Sequence, residues 1–276
     1  MSREPSNAST SLDDLIRLAD EDRRHGESFL RLAGIRYQDI LDRMPNNFER
    51  GLLAQKAWES EQRLAISSPY FSQAGQDRFL DERVFEHKRD GMFIEIGAYD
   101  GVTGSNCLFF EMMRNWTGLI VEPSPLQFET LKASRRSTCV QATIAPWEAT
   151  SDFMHITNGY TQMSGLLETY DDAILHAVRE NAQHREEILK VSTRRLDSLL
   201  DEHEIRKADY CSLDVEGAEL AILSSFPFDV FDISVWTIEN NLRTKEVKTL
   251  MEAKGYHLVT VIGTDEIFRK TNSGTA

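Results

Sequence analysis

The chain is 276 residues long with a formal net charge of −14, enough for one large domain plus an extension and too little for two full domains. The acidic balance disfavours nucleic acid as a partner, and the richest basic cluster, Lys190 with Arg194 and Arg195, is small. Cys107, Cys139 and Cys211 form no C-x-x-C pair, no stretch approaches the roughly 18 apolar residues of a membrane span, and the amino terminus lacks a signal peptide's apolar core, so a soluble, cytoplasmic protein is expected.

Residues 1–10 are polar and expected to be disordered. A helix is predicted from Ser11, with Leu12, Leu15, Ile16 and Ala19 on one face, a second over Ser28 to Met44 until Pro45, and a third from about Phe48 to Ile66 until Pro69. Residues 1–69 therefore read as an N-terminal helical extension. It is a cap packed on the rest, or else an arm for a homodimer or a lid over an acceptor. No heptad persists long enough for a coiled coil.

Residues 70–276 have a different texture. YFSQAGQDRFLDERVF offers Ser72 as a helix cap, followed by Gln73, Gln76 and Asp77 just ahead of a glycine turn, where a binding role is open to them. The stretch the domain is built around is MFIEIGAYDGV, Met92 to Val102. Phe93, Ile94 and Ile96 suit a central strand buried on both faces, Gly97 ends it, and Gly101 closes the turn before the helix SNCLFFEMMRNW, which Ser105 caps. The turn lies at the carboxyl edge of a strand, where open α/β sheets bind ligands. A dinucleotide turn would need glycine at Tyr99 and Val102, so a pyrophosphate is not indicated. Glu122, ending the next apolar run GLIVE, can accept both hydroxyls of a ribose. Together these features fit an adenosine cofactor without pyrophosphate, such as S-adenosylmethionine.

After Glu122, LQFETLKAS reads as a helix and Thr138 to Ala145 as a third strand. SDFMHIT and YTQMS flank Asn158-Gly159, a two-residue hairpin signal. The charged segment that follows reads as helix to about Lys190, and acceptor selection is assigned to this irregular middle, with Tyr160 and Tyr170 as stacking faces. Regular alternation then returns. Tyr210 to Leu213 is a buried strand ending in Asp214, and Ile233 to Ile238 is a strand ending in Glu239 and Asn240. Right-handed crossovers bring these ends to the same rim as Gly97 and Glu122. After a helix from Thr244 to Lys254, YHLVTVIG and EIFRK are too close for a crossover and predict a closing antiparallel hairpin. The whole predicts an α/β fold with a doubly wound, mostly parallel sheet.

If the chemistry is methyl transfer, a hydroxyl proton must be removed, and Asp214 or Glu216 is the candidate base. Alternatively, Asp214, Glu239 and Asn240 supply hard oxygen ligands suited to magnesium. The seven histidines show no paired metal spacing, and His155 is a reserve base.

SQAGQD, FIEIGAYDG, SNCLFFE, WTGLIVEPSP, TRRLDSLL, LDVEGAELAIL and IENN, in this order, resemble the FkbM-type family of S-adenosylmethionine-dependent methyltransferases, from about Ser72 to Lys270. The resemblance implies a class I methyltransferase sheet. It places Glu95, Gly97 and Gly101 around the methionine end of the cofactor and Glu122 on its ribose, with Ala98, Asn106, Pro123 and Gln76 also at the cofactor. It implies O-methylation of a glycan or small-molecule hydroxyl. One departure is ATIAPWEATSDF after the third strand, where family members usually carry alanine, an acidic residue and glycine. The alternative is a non-catalytic protein of this fold that binds a partner through its N-terminal helices, against which the intact glycines and Glu122 speak.

Overall fold

The computed structural model describes residues 37–38, 40–63 and 69–271, so the helix expected from Ser11, residues 1–10 and most of the Ser28–Met44 helix lie outside the described residues. Helix α1, Phe48–Arg63, comes first, followed by α2, Gln76–Phe79, which runs on into a π-turn at Leu80–Val84. Then follow β1, Met92–Ile96; α3, Leu108–Arg114; β2, Thr117–Glu122; α4, Pro125–Ser134; and β3, Thr138–Gln141. Ser105 Oγ accepts the amides of Cys107 and Leu108 ahead of α3, and Ser124 Oγ caps α4 with proline at its first turn. A short β4, Thr143–Ile144, precedes β5, Thr150–Asn158, β6, Gly165–Leu166, α5, Asp172–Arg179, and β7, Arg185–Arg194. The remaining elements are α6, Leu196–Glu202; β8, Lys207–Leu213; α7, Glu219–Ser225; β9, Asp232–Glu239; α8, Glu246–Ala253; β10, Tyr256–Ile262; and β11, Asp265–Lys270.

The main sheet has the order β10-β11-β9-β8-β1-β2-β3. Its five strands from β9 to β3 are parallel, while β11 runs antiparallel to both β9 and β10. The closing hairpin is thus present, with its second strand inserted next to β9. Alternation along β1 divides the core: Ile94 and Ile96 pack with Leu199, Leu213, Leu223 and Trp236, whereas Phe93 packs with Phe109, Phe110, Trp116 and Tyr210 on the opposite face. Both faces of the sheet are therefore covered, as a doubly wound parallel sheet requires. Among the described residues no helix is long and apolar enough to cross a membrane.

Three local expectations are corrected. The third strand breaks after Gln141, so that β4 leaves the main sheet and joins a second one of order β4-β7-β5-β6. The charged segment up to Lys190 is helical only to Arg179, and β7 pairs antiparallel with β5 from Arg185 to Ser192. Glutamate and lysine favour a helix there, but the edge of β5 offers a ladder of backbone partners, and that tertiary pairing wins. The Asn158-Gly159 turn is not a two-residue hairpin. The chain makes a 3-10 turn at Thr161–Met163 before β6 pairs with Phe153 and Met154, because Ser164 Oγ takes the Ile156 amide and gives its proton to Thr161 O in place of ladder bonds.

Helix α1 lies against the outer strand. Gly263 N donates to Gly51 O at 3.0 Å, Asn46 Nδ2 to Val259 O at 2.7 Å, and Arg50 Nη1 to Thr260 Oγ1 at 2.9 Å. A Cβ at Gly51 would fall 2.7 Å from Gly263 O, so only glycine permits this approach.

Candidate active site

Register alone assembles the site. Ile96 pairs with Val121 on one side and Leu213 on the other, and Leu213 pairs with Ile238. The next residue on each strand therefore stands in one row across the carboxyl rim: Glu122, Gly97, Asp214, Glu239. Asp265, paired with Glu239, extends the row onto β11. Four carboxylates flank one glycine, with strands about 4.8 Å apart.

Above this row opens a cleft of about 550 Å³ lined by Gly97, Ala98, Asn106, Glu122, Asp214 and Glu239 among others. Glu95, Pro123 and Glu216 line it too. Its lining, among the described residues, contains no lysine, arginine or histidine. The three basic residues of the sequence cluster are paired elsewhere, Lys190 with Asp152, Arg194 with Glu202 and Arg195 with Asp197.

Glu122 closes the end of β2. Its Oε2 accepts the Tyr99 amide and its Oε1 the Ser124 amide, each at 2.8 Å, so the carboxyl joins the glycine turn to the cap of α4. Burial nevertheless pushes its pKa up to about 8, against the pull of those two amides. Asp214 is raised to about 7, by burial first and then by the Asp265 and Glu219 carboxylates. Burial, and next the Asp214 charge, raise both Glu216 and Glu239 well above the ordinary carboxylate range. Two acceptor atoms facing this region have no hydrogen-bond partner among the described residues, Asn106 Oδ1 and Glu239 Oε2. Buried acceptors without donors, set among carboxylates with no cation, fit a ligand that brings positive charge.

Gly97 has φ +82°, and a Cβ there would lie 1.7 Å from Asp214 O. Its role is thus the close approach of the β1 and β8 ends as much as the space it leaves for a ligand. Glu95 lines the cleft with a fully engaged carboxylate, its Oε1 accepting Ser105 Oγ at 2.7 Å and its Oε2 Arg135 Nη1 at 2.8 Å. Arg135, wholly buried, also binds Glu111 at 2.7 Å and Gly101 O at 3.0 Å. This clamp fixes the glycine turn, and nothing in the sequence marks it, since a buried arginine looks like any surface arginine in KASRRS.

Some candidates lie elsewhere. Gln76 is buried off the cleft, donating to Asp265 Oδ2 and accepting the Ala74 amide. Gly101 packs toward Ser134 and Arg135. Asn240 holds the turn after β9, donating to Thr244 O and accepting its amide. Tyr160 is outside the lining, Tyr170 is buried with its hydroxyl on Met163 O, and His155 is buried against Ser124 Oγ. Side chains missed in the sequence do line the cleft: Gln55 from α1, Tyr99, which bonds Thr161 Oγ1 at 2.7 Å, Asn241 and the 161–166 segment.

Of the expected magnesium ligands, Asp214 and Glu239 come together and Asn240 does not. Asn240 is committed to its turn, and the carboxylates that do approach within 4.8 Å of one another are Asp214, Glu219 and Glu239. Glu219 is already bound to the Val215 and Gly217 amides. That leaves Asp214 and Glu239 as the carboxylates of the expected set that come together, with waters needed to complete any octahedral site.

Residues 95–258 match the methyltransferase FkbM domain. The chain belongs to the FkbM methyltransferase family. No curated protein sequence matches it. Among solved structures, the methyltransferase FkbM from Methylobacillus flagellatus KT is similar at 11% identity with a TM-score of 0.46, over 84% of this chain and 57% of that one, so the chain spans little more than half of that relative. Aeropyrum pernix fibrillarin, solved with natively bound S-adenosyl-L-methionine, is 14% identical over 73% of this chain and 74% of its own, with a TM-score of 0.40. A TehB-like SAM-dependent methyltransferase from Corynebacterium glutamicum is 11% identical over 79% and 98%, with a TM-score of 0.39. The FkbM chain described here carries a seven-stranded, mostly parallel sheet, with residues of a small second sheet lining part of its cleft.

Proposed function

We propose that this FkbM-family protein is an S-adenosylmethionine-dependent O-methyltransferase acting on a hydroxyl of a glycan or small metabolite. The observation that carries the proposal is the row Glu122, Gly97, Asp214, Glu239 beneath a cleft whose charged lining residues are all acidic. What S-adenosylmethionine supplies is an electrophilic methyl carbon on a positively charged sulfur.

In this reading Glu122 accepts the ribose hydroxyls, and Ala142, Ile144 and Val121, which line the same end of the cleft, hold the adenine through apolar contact. Gly97 and Ala98 leave room for the tail, whose ammonium is met by acceptors such as Asn106 Oδ1. Asp214 or Glu216 would take the proton of the acceptor hydroxyl as its oxygen bonds the methyl carbon and the carbon–sulfur bond breaks, the electron pair staying on sulfur so that S-adenosylhomocysteine leaves. A carboxylate with a pKa raised toward neutrality is a better base than an ordinary one. No step requires a metal ion.

Calorimetry with S-adenosylhomocysteine is the primary test, because a class I donor site binds this product directly. A micromolar dissociation constant, lost in Glu122→Ala, is expected; no heat at millimolar concentration would reject the donor site. Transfer of a labelled methyl group to a glycan panel, with and without EDTA, then tests acceptor class and metal independence.

A further inference from the structure

Beside the main cleft lies a smaller cavity of about 290 Å³ that shares Glu216, Glu239 and Asn241 with it. Its wall also carries apolar side chains. Ile174 comes from α5, Leu220 from α7 and Val247 from α8, with Tyr170 at one side and Leu242 at the rim. Three helices hold those side chains, and loop residues such as Gly217, Asn240 and Leu242 complete the wall. At about 290 Å³ it sits at the small end of ligand pockets, enough for a single ring.

Its charged lining is as one-sided as that of the main cleft. Asp171, Glu216, Glu219, Glu239 and Glu246 line it, with no lysine, arginine or histidine among the described residues. An anion seated between Glu216 and Glu239 would give up its hydration with no lysine, arginine or histidine in the lining to take its place, and would meet like charge whenever either carboxyl ionises. A neutral hydroxylated ring meets no such penalty: its carbon face covers Ile174, Leu220 and Val247, while a hydroxyl reaches the carboxylates at the junction. A cationic ring draws these raised carboxyls toward their charged form and gains from it.

We infer that this side cavity holds the methyl acceptor, and that the acceptor is a single hydroxylated ring carrying no negative charge, with Glu216 and Glu239 at the junction selecting against anions. The inference rests on the main cleft being the donor site. It assigns the acceptor a charge class, and it excludes phosphorylated, carboxylated and nucleotide-diphosphate-linked rings.

The test uses the full chain saturated with S-adenosylhomocysteine and three rings of one size: cyclohexane-1,4-diol, 4-aminocyclohexanol and 4-hydroxycyclohexanecarboxylate. Saturation-transfer and shift-titration NMR read their binding. The diol and the amine are expected to bind, the amine more tightly, and the carboxylate about tenfold or more weakly than the diol. Leu242→Trp narrows the mouth, and because Leu242 is 55% exposed the fold does not depend on it. This variant is expected to lose binding of both rings while its affinity for S-adenosylhomocysteine is unchanged. Equal binding of the carboxylate and the diol, ring binding that survives Leu242→Trp, or no ring binding to the saturated protein would each overturn the inference. A protein that gives no heat with S-adenosylhomocysteine marks failure of the donor site instead, a result the ring titrations do not produce.

Discussion

Glu122 is a carboxyl whose surroundings disagree about its charge. Two backbone amides favour the anion, burial favours the acid, and burial wins, so near neutral pH the group is mostly protonated. Ribose hydroxyls would donate to it and favour the anion, so donor binding at pH 7 should release a proton. Titrations of S-adenosylhomocysteine in buffers of different ionisation enthalpy are expected to give buffer-dependent heats, and Glu122→Gln should remove that dependence and weaken binding by about 1–3 kcal/mol. Asp214, with a pKa near 7, makes the second prediction. Turnover should rise with pH through about 7, and Asp214→Asn should lower kcat by about 10²–10⁴ with donor affinity retained; an unaltered kcat would remove Asp214 from the base role. These carboxyls were legible because each follows an apolar run that could only be a buried strand. Gln76 and Asn240 have the same polar appearance in the sequence, yet one is locked to Asp265 and the other to its own turn, contacts that depend on β11 and on loop geometry no spacing encodes.

At the scale of elements, the parallel strands of the main sheet were readable from their apolar runs and strand-terminal residues. β7 was not. Its Glu186, Glu187 and Lys190 carry helix propensity, and only the neighbouring edge of β5 makes it a strand. Arg135 is the corresponding blind spot among side chains. It ties the end of α4 to Glu95 on β1, Glu111 on α3 and the carbonyl of Gly101, so three elements share one buried charge. Arg135→Ala leaves Glu95 without its cation and Glu111 with only the longer pair to Arg136, at 3.8 Å, and should cost about 3–5 kcal/mol in urea unfolding. A loss under 1 kcal/mol would mean that the turn holds itself.

For the whole molecule, the raised carboxyls set a direction for stability against pH. Glu122 at about 8, Asp214 and Glu266 at about 7 and Asp265 at about 6 all keep protons in the folded state that the unfolded chain has released. A raised folded pKa gives a contribution that is complete below the unfolded value, near 4, and disappears as pH climbs through the folded value. The Tm of the ligand-free protein should therefore fall between pH 5 and pH 8.5, by about 2–4 °C for each 1 kcal/mol. A Tm that rises over that range in calorimetric scans would contradict the assignment of these groups.

Helix α1 belongs to the polar, helical stretch that composition sets apart from the rest of the chain, yet Gln55 on it lines the cleft and Gly51 on it is hydrogen-bonded to the turn at Gly263. A shortened protein starting at Pro69 would keep every strand and lose one flank of the crevice, turning a walled slot into an open trough. Such a truncation should bind S-adenosylhomocysteine about tenfold more weakly, a loss of about 1.4 kcal/mol readable by calorimetry. Where the amino acids change character and where the molecule can be cut are two different places.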